Sequence, residues 1–117
     1  MKMKRILVVD DHISSVNVLR NIIIYSTRNI AETSTDPLEA YELIKKNHID
    51  LVISDTEMPG MTGLELKARL NKEGINVPFI GMSGKDEYEE KWRELGCTFL
   101  QKPYSLDDLK AAIEANL

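Results

Sequence analysis

Residues 51–66 read LVISDTEMPGMTGLEL, and they carry the pattern that decides the fold. Leu51 to Ile53 form a short apolar run without internal alternation, as in a strand buried on both faces. Thr62 with Glu65 three positions on is the signature of a helix start, the hydroxyl and the carboxylate each satisfying a free backbone N–H. The segment therefore predicts strand, loop, helix, with Asp55 just past the strand.

Working outward, the same unit recurs. Apolar runs at Ile6 to Val9, Val77 to Met82 and Thr98 to Leu100, with a weaker one at Ile30 to Thr33, predict four more strands. Asp36, Pro37 and Glu39 read as N-cap, first-turn proline and the return arm of a capping box. Ser105 and Asp108 repeat the start signal ahead of Leu106, Leu109 and Ile113, which share one helical face. Gly74 reads as a C-terminal cap before a strand opened by Val77 and Pro78. Strand and helix alternate five times without repeats or linkers. Such alternation predicts one α/β domain over residues 1–117, a parallel sheet covered by helices on both faces.

Composition agrees. A chain of 117 residues with 43% hydrophobic and 29% charged residues can bury one core without disulfides or a structural metal. The lone Cys97 lies in an apolar run and is read as a small hydrophobe in a reducing setting. The basic start from Met1 to Arg5 leads straight into a strand pattern, and the longest apolar patch, Ile22 to Ile24, falls far short of the ~20 residues that cross a bilayer. A cytoplasmic chain without membrane span or signal peptide is expected. The net charge of −4 and scattered basic residues argue against direct nucleic-acid binding.

In open doubly wound sheets, ligands sit beyond the carboxyl ends of the strands. That rule selects Asp10 and Asp11 after the first strand, Asp55 after the third, Ser83 after the fourth, and Lys102 with Pro103 after the fifth. Crowded carboxylates repel one another unless protons or a cation offset the charge. A few hard oxygen ligands with room for water suit Mg²⁺, and Lys102 adds a fixed positive charge. An acidic pair such as Asp10 and Asp11 also serves as a helix cap in a solvated loop; the combination with Asp55 and Lys102 is what favours a metal.

The stretch from Asp55 to Leu66, with the Asp10-Asp11 pair, Ser83 and Lys102-Pro103 in matching order, resembles the receiver domains of two-component response regulators over essentially the whole chain. The resemblance implies a sheet of strand order 2-1-3-4-5 with five helices. It implies that Asp55 accepts a phosphoryl group, that Asp11 and Asp55 hold Mg²⁺ (or Mn²⁺) with the backbone carbonyl of Glu57, and that Asp10 acts through metal-bound water. Lys102 would pair with Asp55 and then with a phosphoryl oxygen, Ser83 would hydrogen-bond another, and the Lys102-Pro103 bond would be cis. Ser83 and Phe99 would form the switch. Phe99 is equally well read as core.

The partners it implies are a sensor histidine kinase or histidine phosphotransfer protein upstream, and a protein effector or fused output domain downstream, for a monomer or weak dimer. The output surface would be the fourth helix, fifth strand and fifth helix, with Tyr88, Trp92 and Tyr104 as candidate contacts, although Tyr88, Trp92 and Leu95 also form a stripe suited to the core. In the first helix, Val16, Leu19 and Ile23 make one apolar stripe and Val18, Ile22 and Tyr25 a second, which with Ser14 and Asn17 is a candidate docking face. Glu57 and Lys85 stand at positions flanking the phosphoryl group; they either pair across its mouth or leave an acid beside the metal.

Three rival readings compete with it. A haloacid-dehalogenase-like phosphohydrolase would use Asp55 with Glu57, but leaves the Asp10-Asp11 pair unexplained. A flavin-binding domain would find Asp10 and Asp11 repelling its phosphate. The third is a receiver that docks without phosphorylation.

Overall fold

A computed structural model describes residues 3–117 of the chain; the start at Met1 and Lys2 lies outside the described residues. The elements are β1 (Arg5–Val9), α1 (Ile13–Thr27), β2 (Ile30–Ser34), α2 (Pro37–Lys46), β3 (Leu51–Asp55), α3 (Gly63–Lys72), β4 (Phe79–Ser83), a 3-10 turn (Asp86–Tyr88) running into α4 (Glu89–Glu94), β5 (Thr98–Gln101) and α5 (Leu106–Asn116). All strand pairs are parallel, in the order β2-β1-β3-β4-β5. The expected doubly wound α/β sheet, order included, is present.

Both faces of the sheet are apolar because successive side chains of a strand point to opposite sides. Ile6, Val8, Ile53 and Met82 pack with Val16, Leu19 and Ile23 of α1 and Leu109 and Ile113 of α5. Leu7, Val9, Val52 and Phe79 pack with Ala40 and Ile44 of α2, Leu66 and Leu70 of α3 and Trp92 of α4. That two-sided burial is why the strands read as unbroken apolar runs.

The helix starts are chemically explicit. At α3 the capping box is complete: the Thr62 hydroxyl accepts from Glu65 N–H, and the Glu65 carboxylate accepts from Thr62 N–H. Gly74, at φ +79, turns the chain after α3 in the left-handed region that glycine tolerates. The Ser105 hydroxyl accepts from Asp108 N–H to open α5.

Four sequence readings need correction. At α2, Asp36 caps Leu38 N–H as expected, but Glu39 does not reach back, because the Ser34 hydroxyl donates to its carboxylate at 2.8 Å. The fourth strand starts at Phe79 rather than Val77; Pro78 has no N–H to give the ladder and contributes only its carbonyl, which accepts from Val52 N–H. Leu106 is exposed, since the first turn of α5 stands level with the rim where no strand lies beneath it. Trp92 is wholly buried and unavailable as a surface contact.

Candidate functional site at the carboxyl edge of the sheet

β1, β3, β4 and β5 end side by side, and each delivers polar groups to the rim. Asp55 is the last residue of β3 and Ser83 the last of β4. Lys102 follows β5, and its backbone N–H donates to the Ser83 carbonyl at 2.8 Å, which fixes the final loop against β4. The Lys102-Pro103 bond is cis. From there the Lys102 ammonium lies 3.1 Å from Asp55 Oδ1 and 3.8 Å from Asp10 Oδ2.

Burial pushes the Asp55 carboxyl above the usual carboxylate range, aided by the nearby Asp10 and opposed by Lys102. For Lys102, burial alone would lower the ammonium, but Asp55 and Asp10 together outweigh it and hold the group above the ordinary lysine value. Asp10, only 2% exposed, is the most deeply enclosed carboxylate of the site; its Oδ1 accepts from His12 N–H.

Asp11 is held differently. Its Oδ1 is shielded from solvent yet accepts no hydrogen bond, while Asp10 Oδ1 and Asp11 Oδ1 both face His12 Nδ1 at 3.3 Å. A shielded carboxylate oxygen without a donor is costly on its own and fits a hard-cation ligand. Asp10, Asp11 and His12 each offer a ligand atom, all within 4.8 Å of one another, a carboxylate-rich cluster compatible with Mg²⁺.

Ser83 is buried, and its Oγ accepts from Lys85 N–H at 3.0 Å, so its own proton remains free to donate. Glu57 does pair with Lys85, at 2.9 Å, and its carboxylate also accepts from the Tyr88 hydroxyl at 2.7 Å. The Lys85 hydrogen bond, then that of Tyr88, holds the Glu57 carboxyl below its ordinary range. Phe99 is partly buried against the α2–α3–α4 side of the core.

Sequence reasoning missed three neighbours. His12 was signalled only by its place beside the acidic pair. Thr56, fully buried, donates to the Met82 carbonyl and accepts from Trp92 Nε1–H. Tyr88 stood in the right stripe, but its bond to Glu57 spans 31 positions and has no local signal.

Known proteins share this arrangement. The family model described as "Response regulator receiver domain" matches residues 6–114. The chain is similar to a segment of the sensor histidine kinase RcsC of Escherichia coli, 38% identical over 111 residues that cover 92% of this chain and 12% of that protein. It is similar to the response regulator MprA of a Mycobacterium species, 33% identical over 116 residues, covering 97% of this chain and 50% of that protein. Among solved structures, the response regulator TrrA of Thermotoga maritima, in complex with Mg²⁺ and BeF, superposes with a TM-score of 0.88 at 28% identity, covering 98% of this chain and all of that one. Fold, rim and family model agree: this chain belongs to the response-regulator receiver domains of two-component signalling.

Proposed function

We propose that this domain accepts a phosphoryl group on Asp55 from a phosphohistidine, in a reaction that depends on Mg²⁺ (or Mn²⁺). The observation that carries this reading is the ammonium of Lys102 against Asp55 and Asp10, beside a shielded Asp11 oxygen that accepts no hydrogen bond. Asp11, Asp55 and the Glu57 carbonyl would hold the metal, with Asp10 acting through its water. Once bound, the ion would offset charge on the phosphoryl oxygens.

The residues themselves divide the remaining work. An Asp55 oxygen attacks phosphorus; the new P–O bond forms as the P–N bond to the donor breaks, and the leaving imidazole takes a proton from solvent. Lys102 then turns its charge from the carboxylate to a phosphoryl oxygen, and the free Ser83 proton meets another. Movement of Ser83 toward that oxygen opens space behind β4, which Phe99 is placed to sense. Hydrolysis by water would return Asp55 to a carboxylate and release phosphate.

The upstream partner fits the outer face of α1. Val18 is 60% exposed and Tyr25 82% exposed, with Ser14 exposed and Ile22 and Asn17 partly so; Ser14 and Val18 stand toward the rim that holds Asp55, Tyr25 toward the far end of the helix. A histidine-bearing helix pair of a sensor kinase or phosphotransfer protein would dock there. Downstream, a protein effector or a fused output domain would read the α4–β5–α5 side, with the domain itself a monomer or weak dimer. No helix among the described residues is long and apolar enough to cross a membrane; a cytoplasmic site of action would follow from the proposed kinase partner.

Incubation with Mg²⁺ and acetyl phosphate tests the reading. One phosphoryl per chain, mapped to Asp55 and lost in Asp55→Asn, is expected; absence of an adduct, or one that survives the substitution, overturns it. Continuous release of phosphate from phosphomonoesters would instead favour the phosphohydrolase.

A further inference from the structure

The two residues that follow Asp55 are gripped by two side chains from one helical turn. Trp92 Nε1–H donates to Thr56 Oγ1 at 2.9 Å, and Thr56 in turn donates to the Met82 carbonyl at 2.7 Å. This buried chain links α4, the β3–α3 connection and β4. Four positions before Trp92, the Tyr88 hydroxyl donates to Glu57 Oε1 at 2.7 Å. Residues four apart share a helical face, so the 3-10 turn and α4 present both grips together.

The indole has no room to slide. It stacks on Phe79 with ring centroids 6.2 Å apart. Beneath it lies Gly81, where an added Cβ would come within 2.0–2.4 Å of the ring, and beside it Gly63, where the distance to Trp92 Cζ2 would be 3.1 Å. A buried N–H that loses its acceptor is penalised, so displacement of Thr56 has to carry Trp92 and its helix along.

We propose that Tyr88 and Trp92 are positioning residues for the phosphorylation site: they hold Thr56 and Glu57 in register with Asp55, and thereby tie occupancy of the site to the placement of the 3-10 turn and α4. The proposal rests on the reading of Asp55 and its metal given above. Because binding couplings are reciprocal, what changes α4 must change ligand affinity at the rim, and the converse. This route reaches α4 through the loop after β3, and at the Met82 carbonyl it meets the end of β4 next to Ser83.

Calorimetric titration with Mg²⁺ and amide hydrogen exchange over residues 86–95 test it, on the wild-type chain, Tyr88→Phe, Trp92→Phe and Glu90→Ala. Tyr88→Phe removes one hydroxyl from a partly exposed ring, and its melting temperature should match wild type. Either aromatic substitution should weaken Mg²⁺ binding about three- to tenfold, as a less populated binding-competent loop requires. Exchange over 86–95 should slow on adding Mg²⁺ with acetyl phosphate in wild type, and much less in both variants. Glu90→Ala, on the outward face, should behave as wild type.

If wild type binds no Mg²⁺, the metal reading fails and the proposal with it. If wild type binds and all variants agree within about twofold, the metal reading survives and the grip is overturned. A loss in Glu90→Ala equal to that in Tyr88→Phe overturns it as well, by showing a general effect of perturbing the helix.

Discussion

The Lys102 ammonium sits between two carboxylates, 3.1 Å from Asp55 and 3.8 Å from the more deeply buried Asp10. It is the cation that lets the pair coexist at neutral pH, and on phosphorylation it is placed to neutralise a phosphoryl oxygen. Lys102→Ala should therefore slow labelling of Asp55 by acetyl phosphate about 100-fold or more, the cost typical of losing one charge-stabilising donor. Arginine should restore only part of the rate, since its planar fork replaces a compact point charge. Rate constants from quenched-flow labelling check this, and a rate unchanged in Lys102→Ala would remove the role.

Asp55 itself titrates with a sign that can be worked out. Its folded-state value is raised, chiefly by burial. A raised group contributes stability that is complete below its unfolded value and is lost as pH rises through the folded one. In metal-free protein at neutral pH, Asp55→Asn should thus raise the melting temperature by a few degrees, on the order of 1 kcal/mol. The gain should shrink as pH falls below about 4, where the unfolded carboxyl is protonated too. Melting curves at several pH values give the test; a variant less stable than wild type at neutral pH contradicts it.

How much of this was legible beforehand follows from where each signal resides. The strands were, because residues such as Val8 and Ile53 are enclosed on both faces and the apolar runs have no gaps. The rim was, because strand ends in this topology face one edge and Asp10, Asp55 and Lys102 fall at those ends. Trp92 was legible in part: the stripe it shares with Tyr88 and Leu95 suited the core, but helical spacing gives direction from the axis and not the depth of protein above it. Glu39 was claimed by Ser34, which lies five residues upstream and outside the capping pattern. Lys67 is buried, and its ammonium donates to the Val77 carbonyl at 2.6 Å, holding the loop into β4. Those facts belong to tertiary packing, and no local pattern encodes them.

Two glycines one turn of chain apart should behave in opposite ways. At Gly81 a methyl group would enter the Trp92 ring, whose position is fixed by Phe79 and by the Thr56 hydrogen bond. At Gly84 an added Cβ meets nothing within 4 Å. Gly81→Ala should cost about 1–3 kcal/mol through overpacking, whereas Gly84→Ala should stay within about 0.5 kcal/mol of wild type. Urea unfolding measures both, and equal stabilities would mean that the indole has slack the structure does not show.

On the proposed reading, the pair at the mouth of the site would set how long a phosphoryl group on Asp55 lasts. Glu57 is two residues from Asp55, and its carboxylate is occupied by Lys85 and Tyr88. In that arrangement Oε1 is engaged and the positive charge of Lys85 weakens the carboxylate as a base. Lys85→Ala removes the charged restraint and leaves the carboxylate held by Tyr88 alone, better able to act as a general base. Its phosphorylated form should lose phosphate several-fold faster than wild type, while Glu57→Gln, which has no basic oxygen pair to offer, should lose it no faster than wild type. The double variant should follow Glu57→Gln, because the effect of Lys85 passes through the carboxylate. If Lys85→Ala accelerates loss equally in the Glu57→Gln background, Lys85 acts on the phosphoryl group directly and the latch is not the cause.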